Sequence, residues 1–500
     1  MPKDKINQPQ NDVSHTLNNH ESISRKVIRG GIWVFSLRIV NRGLGFIRTV
    51  ILARLLAPED FGLFGIAMLS ISTLETFSQT GFQLALIQKK ENVKSYLDTA
   101  WSVSVIRGLI LFLILFLSAP LIALFFDSPQ ATLMIRFIAL STLFSGLKNI
   151  GILYFQKELE FNKQFKYEFF AIIVDLMVSI SLAFLLKNVW ALISGWISAN
   201  IVRCFMSYMI HPYRPKFDLK CKEFHELYNF GKWIISAEII IFLITKGDDI
   251  LVGKMLGVTA LGFYQMAYLF SNLPATEITH IISRVTFPAY SKFQDDLLKL
   301  KEAYLKVIKL TAFISIPLSG FIFIFSQDFT SLFLGSKWLP FLPALKILCI
   351  FGATRALNAT TGPIFYAMGK PEILTKISTV QLIILMLIIY PLTNIYKLIG
   401  VSFAVTFSNL ICSYLSFKNI TYMTNITISR ISKIVLIPTL ITCIIMGAVY
   451  SLKTILASHF SLFFNFSFSL IFGLSIYLFF VIYLSSGSQT FMAFKEFFRK

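Results

Sequence analysis

The chain has 500 residues, 55% of them hydrophobic and 14% charged, with a mean hydropathy of +0.70. A soluble chain carries about a quarter charged residues, so this composition excludes a soluble globular domain. The net charge of +20 reads as Lys and Arg retained in loops on one side of a membrane, and no nucleic-acid partner is expected.

The first 27 residues are polar, lack the apolar stretch of a signal peptide, and read as a disordered tail (1–27). Fourteen apolar stretches follow, near 30–53, 61–87, 100–126, 131–154, 167–186, 189–210, 230–253, 260–287, 307–334, 340–367, 373–394, 398–417, 432–455 and 461–485. Their length of about 18–25 residues matches a hydrocarbon core ~30 Å thick. Alternating β-barrel strands are absent from the pattern. The fold class is therefore an all-α polytopic membrane protein with about 14 transmembrane helices. The segment from Ser291, SKFQDDLLKLKEAYLK, reads as an amphipathic interfacial helix. Five cysteines (Cys204, Cys221, Cys349, Cys412, Cys443) show no metal spacing, and no disulfide is expected.

The chain echoes itself at an offset of 200 residues. Gly31-Ile32-Trp33 meets Gly231-Lys232-Trp233, and LARLLAPEDFGLF at 52–64 meets VGKMLGVTALGFY at 252–264, with Gly62 on Gly262. Two similar six-span halves begin and end on the same side, as parallel repeats do, and repeated halves commonly enclose a transport pathway. The expected plan is a six-helix bundle at 28–211, a linker at 212–229, a second bundle at 230–420, two additional helices within 421–486, and a tail at 487–500. With the N-terminus placed inside, the connections hold about 29 Lys and Arg inside against 6 outside. Both termini then lie in the cytoplasm.

The block GGIWVFSLRIVNRGLGFIRTVILARLLAPEDFGLFGIAMLSISTLETFSQTGFQLALIQ, and FQKELEFNKQFKYEF at 155–169, resemble the polysaccharide transporters of the MOP exporter superfamily, the Wzx-type, colanic-acid-exporter-like flippases. The resemblance is specific over 28–170, looser over 230–420 and weak over the last two spans. It implies two six-helix bundles in a V around a central cavity, with two extra helices. It also implies passage of an undecaprenyl-pyrophosphate-linked oligosaccharide across the bacterial cytoplasmic membrane, and partnership with a polysaccharide polymerase and export machinery.

Charges inside the spans are the candidate site residues, because a charge at mid-bilayer costs ~3 kcal/mol unless it is used or paired. Arg38 and Arg42 share one face of the first helix, where their forked guanidinium groups would suit a pyrophosphate or an acidic sugar. The alternative is pairing with a carboxylate of a neighbouring helix. Glu75, Gln79 and Gln83 form a polar stripe at i, i+4 and i+8 that would face that pair or line the cavity. In the second half, Lys246 and Asp249 are spaced to pair, leaving Asp248 as an acidic group near the outer end. Glu277 and Arg284 share a face of the eighth span. Asp175, deep in span five, is either paired with Arg107 or Lys148 within its own half, or is a proton or cation site. Arg203 and Lys346 sit near helix ends and read as snorkelling.

No P-loop, GxSxG, HExxH or CxxC pair occurs, so neither enzyme chemistry nor a cofactor is expected. His15 and His20 read as solvated tail residues. The leading reading is alternating access for a lipid-linked glycan. A drug or metabolite antiporter of the same superfamily would want an acidic cavity, and a glycan polymerase or ligase would want a large external loop. Neither feature is present in the sequence.

Overall fold

A computed structural model of the protein describes residues 11–79, 86, 94–158, 160–276, 286, 289–294 and 296–486, with side chains from Trp33 onward except those of 94–95, 221–238 and 484–486. Among the described residues the regular structure is all helical: α1 (Asn11–Leu55), α2 (Pro58–Phe77), α3 (Lys94–Phe125), α4 (Ala131–Leu147), α5 (Leu153–Lys157), α6 (Phe161–Leu186), α7 (Trp190–Ile210), α8 (Cys221–Leu256), α9 (Val258–Ser271), α10 (Leu297–Phe329), α11 (Leu342–Asn358), α12 (Thr361–Ala367), α13 (Pro371–Thr424), α14 (Ile428–Ala457) and α15 (Leu462–Ser486). The described part of each of the fourteen expected stretches is mostly helix, although the one at 61–87 leaves its helix after Phe77. Among the described residues eight helical stretches are long and apolar enough to cross a membrane, or nine if α4 and the short helical turns after it, bent by 70°, make one broken span.

Three expectations about helices change. The tail expected to be disordered is helical from Asn11, continuous with the first span. Residues 11–29 contain no Gly or Pro, and extending an existing helix needs no new nucleus. The segment expected to lie as an interfacial helix is instead the start of α10, capped by Asp296, whose carboxylate accepts from the Lys299 amide at 3.1 Å. Its apolar face, Leu300, Tyr304 and Ile308, is fully buried against Leu357, Phe365 and Ile420, so protein rather than lipid covers it. α13 is two helices in one, broken at Lys397 (φ 52°). A Cβ on Gly400 would lie 2.0 Å from the Leu392 carbonyl oxygen. Residues eight apart in a continuous helix are ~12 Å apart, so the chain reverses here, where the sequence placed two spans.

The chain folds into two compact units. The first comprises the described parts of Met1–Leu55, Ser70–Pro120 and Thr132–Ser236; the second comprises Leu56–Leu69, Leu121–Ala131 and the described part of Ala237–Lys500. In the first unit α6 packs against α7 and α1, with Trp33 set against Phe165 at 5.1 Å between ring centroids. In the second unit α10 packs against α11 and α14, and α14 against α15. Asp328 of α10 and Lys453 of α14 form an ion pair at 2.6 Å, and Lys453 also donates to the Ile324 carbonyl at 3.2 Å. The last two helices are thus fastened to α10 by charge as well as by the Phe325–Ile441–Ile445–Val449 core.

The 200-residue echo has a structural counterpart in the second unit. A Cβ on Gly62 would lie 1.9 Å from the Val258 carbonyl oxygen, and one on Gly262 would lie 2.0 Å from the Pro58 carbonyl oxygen. Both contacts join a glycine to the residue matching its own i−4 neighbour in the other repeat. α2 and α9 therefore cross backbone to backbone, and only glycine fits on either side.

Candidate functional site: a charged cavity and its neighbours

In the first unit α3 and α4 touch through small residues. A Cβ on Gly108 would lie 2.8 Å from the Thr142 carbonyl oxygen, and one on Gly146 would lie 2.6 Å from that of Ser104. Ser104/Gly108 and Thr142/Gly146 are i, i+4 pairs of small residues, the pattern that lets membrane helices approach closely. Beside this crossing lies a cavity of about 300 Å³, with Glu75, Arg107, Lys148, Gln156, Gln164 and Glu168 on its wall.

The charges on this wall are held loosely. Arg107 Nε donates to Ser78 Oγ at 3.0 Å, and its Nη2 donates to the Glu75 backbone carbonyl at 3.1 Å. Lys148 donates to Ser145 Oγ at 3.3 Å. Glu168 is engaged by Arg203 at 3.2 Å across α6 and α7, so Arg203, expected to snorkel, has a partner inside the protein.

A second cluster corrects the expected partner of Asp175. Its carboxylate meets Arg48 at 3.0 Å, whereas Arg107 and Lys148 face the cavity. Arg48 Nε also donates to Ser179 Oγ at 3.0 Å, and a Cβ on Gly195 would lie 2.6 Å from Asp175 Oδ1. α1 supplies the cation, α6 the carboxylate, and α7 the glycine that leaves room for it. Arg48 lies off the Arg38–Arg42 face, which is what turns it toward α6.

In the second unit, α8 carries adjacent buried carboxylates. Lys246 pairs with Asp249 at 3.2 Å. Asp248 is 1% exposed and accepts from the Tyr264 hydroxyl at 2.6 Å and the Asp249 amide at 2.9 Å. Arg355 donates to the Tyr268 hydroxyl at 2.8 Å.

The remaining candidates are placed as follows. Arg38 is half-buried and Arg42 exposed on α1. The polar stripe expected on span two is interrupted: α2 ends at Phe77, so Gln79 lies past its end and is exposed while Glu75 lines the cavity. Gln83, Glu277 and Arg284 lie outside the described residues. Among the described residues no group of three His, Cys, Asp or Glu comes together as metal ligands.

The linker after α7 carries polar contacts that sequence reasoning missed. Residues 211–220 run extended along α3. Asp98 accepts from the Tyr213 hydroxyl and, at 2.7 Å, from the Lys216 amide; Ser102 Oγ accepts from the Asp218 amide at 2.9 Å. Asn149 Nδ2 donates to the Tyr213 carbonyl at 2.6 Å, and His211 stacks on Tyr154 at 5.7 Å. Burial, with Lys163 nearby, holds the His211 imidazole below its ordinary pKa.

Comparison with known proteins places this architecture. The protein is 28% identical over 357 residues to the lipopolysaccharide biosynthesis protein WzxC of Escherichia coli (strain K12), covering 71% of this chain and 73% of that one. It is 24% identical to the teichuronic acid biosynthesis protein TuaB of Bacillus subtilis (strain 168), covering 70% and 73%. In fold it is similar to the lipid II flippase MurJ in an inward closed conformation, with a TM-score of 0.71 at 18% identity, covering 92% of this chain and 99% of that one. It is also similar to an inward-facing multidrug resistance MATE family transporter of the MOP superfamily, with a TM-score of 0.60 at 16% identity, covering 79% and 95%. The profile of the family described as polysaccharide biosynthesis protein matches residues 51–343, more than half of the chain and parts of both repeats, and the protein belongs to that family.

Proposed function

We propose that the protein is a flippase that carries a lipid-linked oligosaccharide across the bacterial cytoplasmic membrane by alternating access, with no catalytic step of its own. The observation that carries this reading is the polar cavity among helices of membrane-spanning length. Charge buried inside a membrane-spanning bundle is costly, and a purely structural bundle has no use for charges set loosely around a void. Family membership, and relatives named for polysaccharide biosynthesis, supply the class of cargo. The fold likeness to a lipid II flippase fits a cargo with a polar head and an isoprenoid tail.

In this reading the two six-helix halves, 28–211 and 230–420, move about the pathway, and both termini lie in the cytoplasm. Arg38 and Arg42, with Arg284 from the second half, contact the anionic head, and Glu277 faces the pathway beside them. Glu75 and Gln79 face the same pathway, whereas Asp248, buried against Tyr264, holds the bundle. The polymerase and export machinery that take the glycan onward are the natural partners.

The test is the leaflet distribution of lipid-linked glycan in a deletion strain. Accumulation on the cytoplasmic face, cleared by the wild-type gene and not by Arg38→Ala or Arg42→Ala, is the expected result. A normal distribution accompanied by drug hypersensitivity would overturn the proposal in favour of an antiporter.

A further inference from the structure

The wall of the first unit's cavity carries two cations, Arg107 and Lys148, and two carboxylates, Glu75 and Glu168. Arg203 and Glu168 neutralise each other at 3.2 Å. Among the described residues no carboxylate comes within ion-pair distance of Lys148, which hydrogen-bonds only to Ser145 Oγ at 3.3 Å. An ammonium group withdrawn from water in this way gains from an anion placed beside it.

The rest of the wall favours a polyol over a bare ion. Gln156, Gln164 and Thr142 line the space. Neither glutamine side chain has a hydrogen-bond partner among the described residues. Paired amides and hydroxyls of this kind suit sugar hydroxyl groups, which both donate and accept. A volume of about 300 Å³ is at the small end of ligand pockets, which run from ~300 to ~1,000 Å³. It is large enough for one sugar ring.

We propose that this cavity is a subsite for a single acidic sugar of the hexuronate class. Lys148 and Arg107 receive its carboxylate, and Gln156 and Gln164 receive its ring hydroxyls. The biological sense of the site rests on the flippase reading: it would select glycans that carry such a residue.

The experiment is calorimetric titration of the purified full-length protein in detergent with sodium glucuronate, glucose and chloride at matched ionic strength. Glucuronate binding at least tenfold tighter than either glucose or chloride is expected. Lys148→Met should weaken it at least tenfold, with an unchanged melting temperature as control. Glu75→Gln, which removes the opposing carboxylate, should tighten it several-fold, a gain that misfolding cannot imitate. Equal affinity for glucose, equal affinity for chloride, no binding, or indifference to both substitutions would each overturn the proposal. Glucuronate binding by a protein whose loss leaves the leaflet distribution normal would fail the flippase reading and leave the site standing. Flipping without glucuronate binding would sink the site alone.

Discussion

The two units bury charge in opposite ways. In the second unit every described buried carboxylate on α8 and α10 is tied to a fixed donor: Asp248 to the Tyr264 hydroxyl and the Asp249 amide, Asp249 to Lys246, and Asp328 to Lys453. In the first unit Arg48 and Asp175 are tied in the same manner, but Glu75, Arg107 and Lys148 surround a cavity, and among the described residues the two cations reach only hydroxyls or a backbone carbonyl. A satisfied pair costs much when one partner is deleted, because the other is left charged and dry. Charges around a void lose little stability on deletion, because solvent or a ligand already serves them. The contrast separates groups that hold the bundle together from groups available to cargo.

The largest expected effects come from halving a satisfied pair. Asp175→Ala strands Arg48, and Asp328→Ala strands Lys453. Each should cost ~3 kcal/mol, the lower end for breaking a buried pair, read as a lowered melting temperature of the detergent-solubilised protein. Glu75→Ala should cost less than ~1 kcal/mol by the same measurement, within the range of substitutions away from a fixed contact. If Glu75→Ala proves as damaging as Asp175→Ala, the distinction between the two kinds of charge collapses.

A middle-sized effect tests whether the repeat register is also a packing register. Gly62→Ala and Gly262→Ala each drive a methyl group into a backbone carbonyl of the opposite helix. Overpacking of that kind typically costs ~1–3 kcal/mol, and the symmetry of the contact predicts similar losses at both sites. Gly43→Ala is the control: nothing lies within 4 Å of its added Cβ, and alanine in a helix interior gains up to ~1 kcal/mol over glycine. Melting temperatures that do not separate Gly62→Ala from Gly43→Ala would remove the crossing from the account.

Much of this was legible in the sequence, for identifiable reasons. Span positions follow from apolar runs of bilayer length, and their described parts are mostly helix. The Gly62–Gly262 register was visible as an echo, but that the two glycines meet was not, because periodicity within a helix says nothing about which helix lies opposite. The same limit explains Asp175: two cations of nearer spans in its half were considered, while its partner, Arg48, sits four spans away by connectivity in the same half. Lys246 and Asp249 were readable as a pair because i, i+3 contacts are local. The stripe of Glu75, Gln79 and Gln83 assumed a helix to residue 87, and α2 stops at Phe77. The linker clasp was invisible, since an extended segment held by side chains of a distant helix carries no periodic signal.

The smallest effect concerns that clasp. The Tyr213 amide donates to His211 Nδ1 at 3.2 Å, which requires the nitrogen to be unprotonated. Burial and Lys163 lower the His211 pKa, with Arg214 acting the same way and Glu158 and Glu160 opposing. The undocked linker, with His211 near its ordinary value of ~6.5, therefore binds more protons than the docked one. Docking free energy is then full above about pH 6.5 and falls as pH drops through the lowered value of the docked state. Hydrogen exchange of the Tyr213, Lys216 and Asp218 amides, corrected for intrinsic rates, should be several-fold faster at pH 5.5 than at pH 7.5, about the worth of one hydrogen bond. His211→Asn keeps an acceptor near the Nδ1 position and does not titrate, so it should flatten that dependence. Exchange that accelerates equally in His211→Asn would show that the acid sensitivity lies elsewhere in the clasp.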